Sequence, residues 1–197
     1  RSTTDGKKYI DGERYWLDDL DAHVLPARNK VDYTRLYKFE KFRKFGNHVN
    51  MITSRGCPFA CTFCTAPKFY RKTFRGRSAS SVVDEIQQVS EKFGIRRFTF
   101  QDENTTYDMD RIAAIADEII SRGLDIRWFS EPGMMASRLN GDLIAKLARS
   151  GMTEIKLTIE SGDQQILSAM KKPVSLRRVE EVVSAARENG VRICGVL

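Results

Sequence analysis

Two rhythms of apolar positions alternate along the chain. Short runs dense in aromatic and β-branched residues predict strands: HVNMITS (48–54), RRFTFQD (96–102), DIRWFSE (125–131), EIKLTIESG (154–162) and VRICGVL (191–197). Between them the apolar residues fall three and four apart. In SVVDEIQQVSEKFG, Val82, Ile86, Val89 and Phe93 share one helical face, and Gly94 closes it. In DMDRIAAIADEIISRG, Asp108 can cap a helix whose inner row is Ile112, Ile115 and Ile119, stopped by Gly123. NGDLIAKLARSG and DQQILSAMKK predict further helices. SLRRVEEVVSAARENG predicts a long one with Leu176, Val179, Val183 and Ala186 inward.

Strand and helix in alternation predict an α/β fold with a parallel sheet and right-handed crossovers. Residues 48–197 read as one core. Residues 1–47 read as a connector following an N-terminal domain that lies outside the sequence. Within that connector Asp11-Gly12 signals a hairpin, and YTRLYKFEKFRKFG, with Leu36, Phe39 and Phe42 before Gly46, suits a short amphipathic helix. The fifth strand runs into the last residue, so the core is expected to lack its final strand or two.

The polar positions cluster where each strand should end: the segment after the first strand, QDENTT after the second, SEPG after the third and ESGD after the fourth. In parallel α/β architectures the carboxyl ends of the strands form one ligand-bearing edge. Period two along the second strand puts Phe98 and Phe100 on one face and Thr99 and Gln101 on the other. The strand should end near Gln101 and release Asp102 and Glu103 at that edge. Trp128, Glu131 and Met134 or Met135 should face the same mouth, with core packing as the alternative.

Charge changes the picture little. The net charge is +7, with 33 basic residues dispersed among 26 acidic ones, as on an ordinary solvated surface. The stretch KFYRKTFRGR, with Lys68, Arg71, Lys72, Arg75 and Arg77, could meet an anionic substrate or a nucleic-acid backbone, or be a solvated loop. No interleaved pattern of stacking aromatics favours nucleic acid. No apolar run is long enough for a membrane span. Clustered cysteines fit the reducing cytoplasm better than a secreted disulfide framework.

The cysteines change it most. SRGCPFACTFC places Cys57, Cys61 and Cys64 in one loop at C-x₃-C-x₂-C spacing. Three thiolates can hold an iron–sulfur cluster that leaves one iron open, and an open metal position is where substrate binds. The rival is a zinc-stabilised binding module with a histidine as fourth ligand. His23 and His48 are the only histidines, and neither has finger spacing. Cys194, on the last strand, reads as a buried, inert thiol.

GCPFACTFC directly after a first strand of a βα repeat resembles the signature of the radical S-adenosylmethionine (radical SAM) superfamily. The resemblance implies a partial (β/α) parallel barrel, here truncated after about five strands. It implies a 4Fe–4S cluster on Cys57, Cys61 and Cys64 whose open iron chelates the amino and carboxylate groups of SAM. One electron into the sulfonium would then release a 5′-deoxyadenosyl radical, the cofactors carrying the chemistry and the protein the positioning. It implies Phe63 against the adenine, Asp102 and Glu103 for the SAM ammonium, Glu160 and Ser161 for ribose or methionine, and Gly195 for close approach of adenine. An external electron donor of the flavodoxin or ferredoxin kind is implied too.

Beyond the cysteine loop, LDDLDAHVLPARN, RSASSVVDEI, FTFQDENTT and IESGDQQILSAMKKP resemble, in order, the cobalamin-binding branch. That branch typically methylates unreactive centres, and its resemblance implies cobalamin in the whole protein. The chain departs at Thr158, where that branch often has glycine, and at Gln101-Asp102-Glu103-Asn104, which replaces a common Asp-Asp pair. The tRNA methylthiotransferases share C-T-F-C; they need a second cysteine set upstream that is not in this sequence.

Overall fold

The computed structural model describes residues 17–23, 25–36 and 47–197. The Asp11-Gly12 hairpin and most of the helix expected before Gly46 lie outside them; Tyr33–Leu36 is helical. The core is a five-stranded sheet in the order β1 (His48–Met51), β4 (Arg97–Phe100), β5 (Arg127–Ser130), β6 (Met152–Thr158), β7 (Arg192–Val196). Every neighbouring pair is parallel. This is the expected α/β arrangement, as an open five-stranded sheet with crossover helices. Among the described residues no helix is long and apolar enough to cross a membrane.

The helices bury the faces their periodicity marks. In Ala79–Phe93, Val82, Val83, Ile86 and Val89 have no exposed surface, Ser78 accepts the Ser81 N–H, and Gly94 closes the helix. In Met109–Ser121, Ile112, Ile115 and Ile119 are buried, and Asp108 accepts the Arg111 N–H. The last helix, Leu176–Glu188, is rotated from the expected row. Val182 and Ala186 are its buried residues, while Leu176, Val179 and Val183 are only partly covered.

The first expected strand is really two. β1 ends at Met51, and Ser54–Arg55 (β2) leaves the sheet to pair antiparallel with Arg75–Gly76 (β3). The cause lies in Asp102. Its carboxylate accepts the Thr53 N–H at 2.7 Å, the Thr53 hydroxyl at 2.5 Å and the Ser54 hydroxyl at 2.7 Å, which turns the chain away from the ladder. Gly56 completes the turn at φ +91°, where a Cβ would lie 2.3 Å from the Thr73 carbonyl oxygen, so only glycine fits.

β4 ends at Phe100, one residue earlier than expected, although Gln101 N–H still reaches the Met51 carbonyl. Phe98 and Phe100 are buried as a pair, and Thr99 on the other face is buried too. Trp128, expected at the mouth, is in the core. It stacks on Phe100 at 4.8 Å, and its indole N–H donates to the Ser150 hydroxyl, which satisfies a large aromatic buried with a polar handle.

The connector is docked on the core. Glu85, buried on the first long helix, accepts from Arg28 of the connector and from Arg77 beyond β3. Arg28 also donates to the Asn50 carbonyl of β1 and Arg77 to the Ile52 carbonyl just beyond its end. Asp21 accepts the Ser78 N–H at the start of that helix.

Candidate functional site

The cysteine loop leaves the β2 turn at the carboxyl edge of the sheet. Cys57 and Cys61 are half-buried, Cys64 is exposed, and all three are free thiols. Cys64 N–H closes a turn onto the Cys61 carbonyl, and Ala66 N–H points at Cys64 Sγ at 3.4 Å. Thr62 N–H donates to the Met170 carbonyl, tying the loop to the turn after Gln164–Ala169. Burial pushes the Cys61 thiol up, the Lys172 ammonium opposes that, and the nearby Cys57 and Cys64 add to it. Among the described residues no three His, Cys, Asp or Glu side chains converge on a single-ion position; a cluster, with a separate iron for each thiolate, asks for wider spacing.

QDENTT divides by burial. Asp102 has no exposed surface, and its oxygens are taken by Thr53 and Ser54. The expectation that it is released at the mouth is corrected: it is an internal clamp. Glu103 is exposed at the edge and accepts the Gly56 N–H at 2.9 Å and the Tyr70 hydroxyl at 2.6 Å. It therefore braces the residue before Cys57, and its exposure leaves lone pairs open to a ligand. The hydrogen bond that Tyr70 donates to Glu103 raises its phenol above the ordinary value.

Asn104, which sequence reasoning passed over, is buried. Its amide N–H₂ lies 3.6 Å from Cys57 Sγ and 3.2 Å from Met135 Sδ, and its carbonyl oxygen has no partner among the described residues. Thr105 bonds the Ser130 hydroxyl, and Thr106 accepts the Met135 N–H. The second strand end thus carries a buried polar seam beneath the cysteine loop. Of the residues expected from the third strand end, Glu131 is exposed and pairs with Lys156, while Met134 and Met135 are buried.

At the fourth strand end, Glu160 adopts φ +75° and pairs with Lys172 at 3.2 Å. Ser161 accepts the Asp163 N–H. Lys172 is the other residue that the sequence did not single out. Its side chain is 8% exposed, it reaches Thr158 Oγ1 at 3.3 Å, and it lies 5.9 Å from the centre of the Phe63 ring. Nothing in Lys171-Lys172 says which turns inward. The backbone decides: Lys171 takes φ +53°, and Lys172 N–H bonds the Leu167 carbonyl. Phe63 is 49% exposed, an uncovered ring beside a cation. Gly195 is exposed, and a Cβ there would meet only Ile159 at 3.7 Å, an ordinary contact. Cys194 is half-buried rather than buried, on β7 opposite Lys156, outside the loop.

The basic stretch does not form one stripe. Arg77 is buried on Glu85, and Arg75 donates to the Leu17 carbonyl; Lys68 and Lys72 remain exposed. The stretch therefore offers no single contact surface through all five residues, in keeping with the solvated-loop alternative for Lys68 and Lys72.

What fold and site define together is a parallel α/β protein with a thiol-rich loop at the carboxyl ends of its strands. The profile of the radical SAM superfamily matches residues 51–197, and the chain belongs to that superfamily. It is 32% identical over 182 residues to the cytidylyl-2-hydroxyethylphosphonate methyltransferase of Streptomyces wedmorensis, covering 90% of this chain and 34% of that protein. It is 31% identical over 157 residues to the bacteriochlorophyllide d C-12(1)-methyltransferase of Chlorobaculum tepidum, covering 78% and 34%. Among solved structures it resembles the radical SAM methyltransferase TsrM of Kitasatospora setae with tryptophan substrate and a SAM analogue bound. There the TM-score is 0.72 at 20% identity, over 84% of this chain and 31% of that one. The cobalamin-dependent radical SAM enzyme OxsB with aqua-cobalamin bound gives 0.63 at 20% identity, over 79% and 24%. These structural likenesses concern the fold. The chain spans about a third of the length of the two curated methyltransferases named.

Proposed function

We propose that this chain is the SAM-cleaving core of a cobalamin-associated radical SAM enzyme, acting in methyl transfer or a related carbon-centred radical reaction. The observation that carries it is the set of three free thiols in one loop at the strand ends, with the Lys172 ammonium beside the Phe63 ring of that loop. Thiolates are the ligands iron–sulfur clusters use. A cluster on three thiolates is anionic, and the nearly buried Lys172 ammonium, 5.9 Å from the centre of the Phe63 ring in the same loop, would offset that charge. When bound, cluster and SAM together supply an alkyl radical by one-electron cleavage of the sulfonium. The methyltransferases among the relatives, and the cobalamin in OxsB, support this branch. The whole protein would take its electron from a flavodoxin- or ferredoxin-like donor and work in the cytoplasm.

The chain's own residues divide the labour. Cys57, Cys61 and Cys64 hold the cluster, and Asn104 donates to the Cys57 sulfur. Hydrogen bonds to such sulfurs and nearby charge set the reduction potential. Replacing Lys172 by methionine keeps most of the stem and removes the charge. The potential of the reconstituted cluster is expected to fall, because a cation favours the more negative reduced state. Potentiometric titration checks this, and an unchanged potential would remove Lys172 from the account.

Glu103 offers its exposed oxygens to the SAM ammonium; Glu160, Ser161, Phe63 and Gly195 surround the rest of SAM. Loss of one charge-assisted hydrogen bond costs about 1.5 to 3 kcal/mol, roughly ten- to a hundredfold in affinity. Glu103→Gln is therefore expected to weaken SAM binding to that extent while retaining iron. The function itself is tested by dithionite reduction of reconstituted protein with SAM. Release of 5′-deoxyadenosine is expected; intact SAM after prolonged reduction of a cluster-loaded sample would count against the reading.

A further inference from the structure

We propose that Arg138 is the anchor for an oxyanion group on the substrate, an inference that rests on the reading above and adds a substrate class to it. Arg138 closes the short 3-10 turn Ala136–Arg138 at the third strand end. Its guanidinium lies 5.8 Å from the centre of the Phe59 ring and 5.3 Å from that of Tyr107. Phe59 sits inside the cysteine loop, between Cys57 and Cys61. Tyr107 follows the buried seam that begins at Asn104 and packs edge-on against Phe59 at 5.9 Å. Met135, three residues before Arg138, meets the same Asn104 amide that reaches Cys57 Sγ. The cation is thus mounted directly beside the cysteine loop.

Its donors are uncommitted. Among the described residues the guanidinium has ring contacts and no hydrogen-bond or ion-pair partner. The carboxylates at the strand ends are engaged elsewhere: Asp102 by Thr53 and Ser54, Glu103 by Gly56 and Tyr70, Glu131 by Lys156, Glu160 by Lys172. Two aromatic rings lie against the guanidinium. A planar fork of N–H donors matches a carboxylate, phosphate or phosphonate with two parallel hydrogen bonds. A residue that only pinned Phe59 to Tyr107 would use its charge on the two rings but would need no free N–H donors.

The experiment uses the protein with its cluster reconstituted, without SAM, titrated separately with methylphosphonate, inorganic phosphate and acetate, and with acetamide as the neutral control. Binding is read by ligand-observed NMR. At least one oxyanion is expected to bind, acetamide not, and the tightest of the three identifies the group. Arg138→Gln is expected to weaken that binding by about tenfold or more. Arg138→Lys, which keeps the charge and loses the fork, should fall between. Iron content of each variant reports folding, and the lysine variant keeps the comparison open if the glutamine variant loads poorly. Equal oxyanion binding in parent and both variants, or none in the parent, overturns the inference. Failure of the functional reading would show separately, as a parent that neither loads iron nor binds SAM.

Discussion

Replacing any one of Cys57, Cys61 or Cys64 by alanine is expected to abolish cluster loading. The parent, reconstituted anaerobically, should carry about four iron and four sulfide per chain, and each single variant close to none. The effect is large because three ligands already leave one iron open; removing a second ligand leaves a cluster no stable resting place. Cys194→Ala should load as the parent does, because Cys194 lies on β7, away from the loop. Iron and sulfide assay with the visible absorption spectrum decides it. Normal loading in any of the three variants, or failure in Cys194→Ala, contradicts the ligand assignment.

The second large effect concerns stability. Asp102 is wholly buried and accepts from one backbone N–H and two hydroxyls. Asp102→Ala leaves the Thr53 N–H without a partner in the interior and frees the turn that carries β2 out of the sheet. Each buried polar group left unmatched costs about 1 to 3 kcal/mol, so a loss near 3 kcal/mol or more is expected. For a domain of this size that is roughly a 6 to 12 °C fall in Tm. Thermal unfolding of the metal-free protein isolates the effect from cluster loss. A fall below about 2 °C on that scale would mean that the clamp is not structural. Glu103→Gln, at the next position, should hardly move Tm, since its side chain is exposed.

That contrast shows what the sequence could and could not convey. Asp102 and Glu103 are both acidic and adjacent, and both should reach the mouth by the strand's expected end, yet the structure turns them to opposite sides, Asp102 inward and Glu103 outward. Which side is enclosed depended on Thr53 and Ser54, about fifty residues earlier. The five parallel strands, the Asp108 cap and the Gly94 stop were legible because hydrophobic period and local hydrogen bonding are written in neighbouring residues. The β2–β3 ribbon was not, being two residues against two across a twenty-residue gap. Trp128 was placed at the mouth from its nearness to a strand end, whereas stacking on Phe100 takes it inside. Arg77 looked like one charge in a basic run; a carboxylate eight residues on, at Glu85, draws it into the interior together with Arg28. Lys172, Asn104 and Arg138 were missed for a shared reason. Each owes its place beside the cysteine loop to a turn or strand end distant in sequence.

The cysteine loop itself was the legible part of the site, because thiol spacing is local and few other chemistries need it. Its surroundings are tertiary: the Gly56 turn, the Glu103 brace with the neighbouring Asn104 amide, and the Lys172 ammonium come from three segments. The central claim is that three thiolates hold a cluster whose open iron accepts SAM. Electron paramagnetic resonance of the dithionite-reduced, reconstituted protein, recorded with and without SAM, tests it most directly. A reduced 4Fe–4S signal whose g-values shift on addition of SAM is the predicted result. A reduced cluster signal that SAM leaves unchanged at saturating concentration would contradict it.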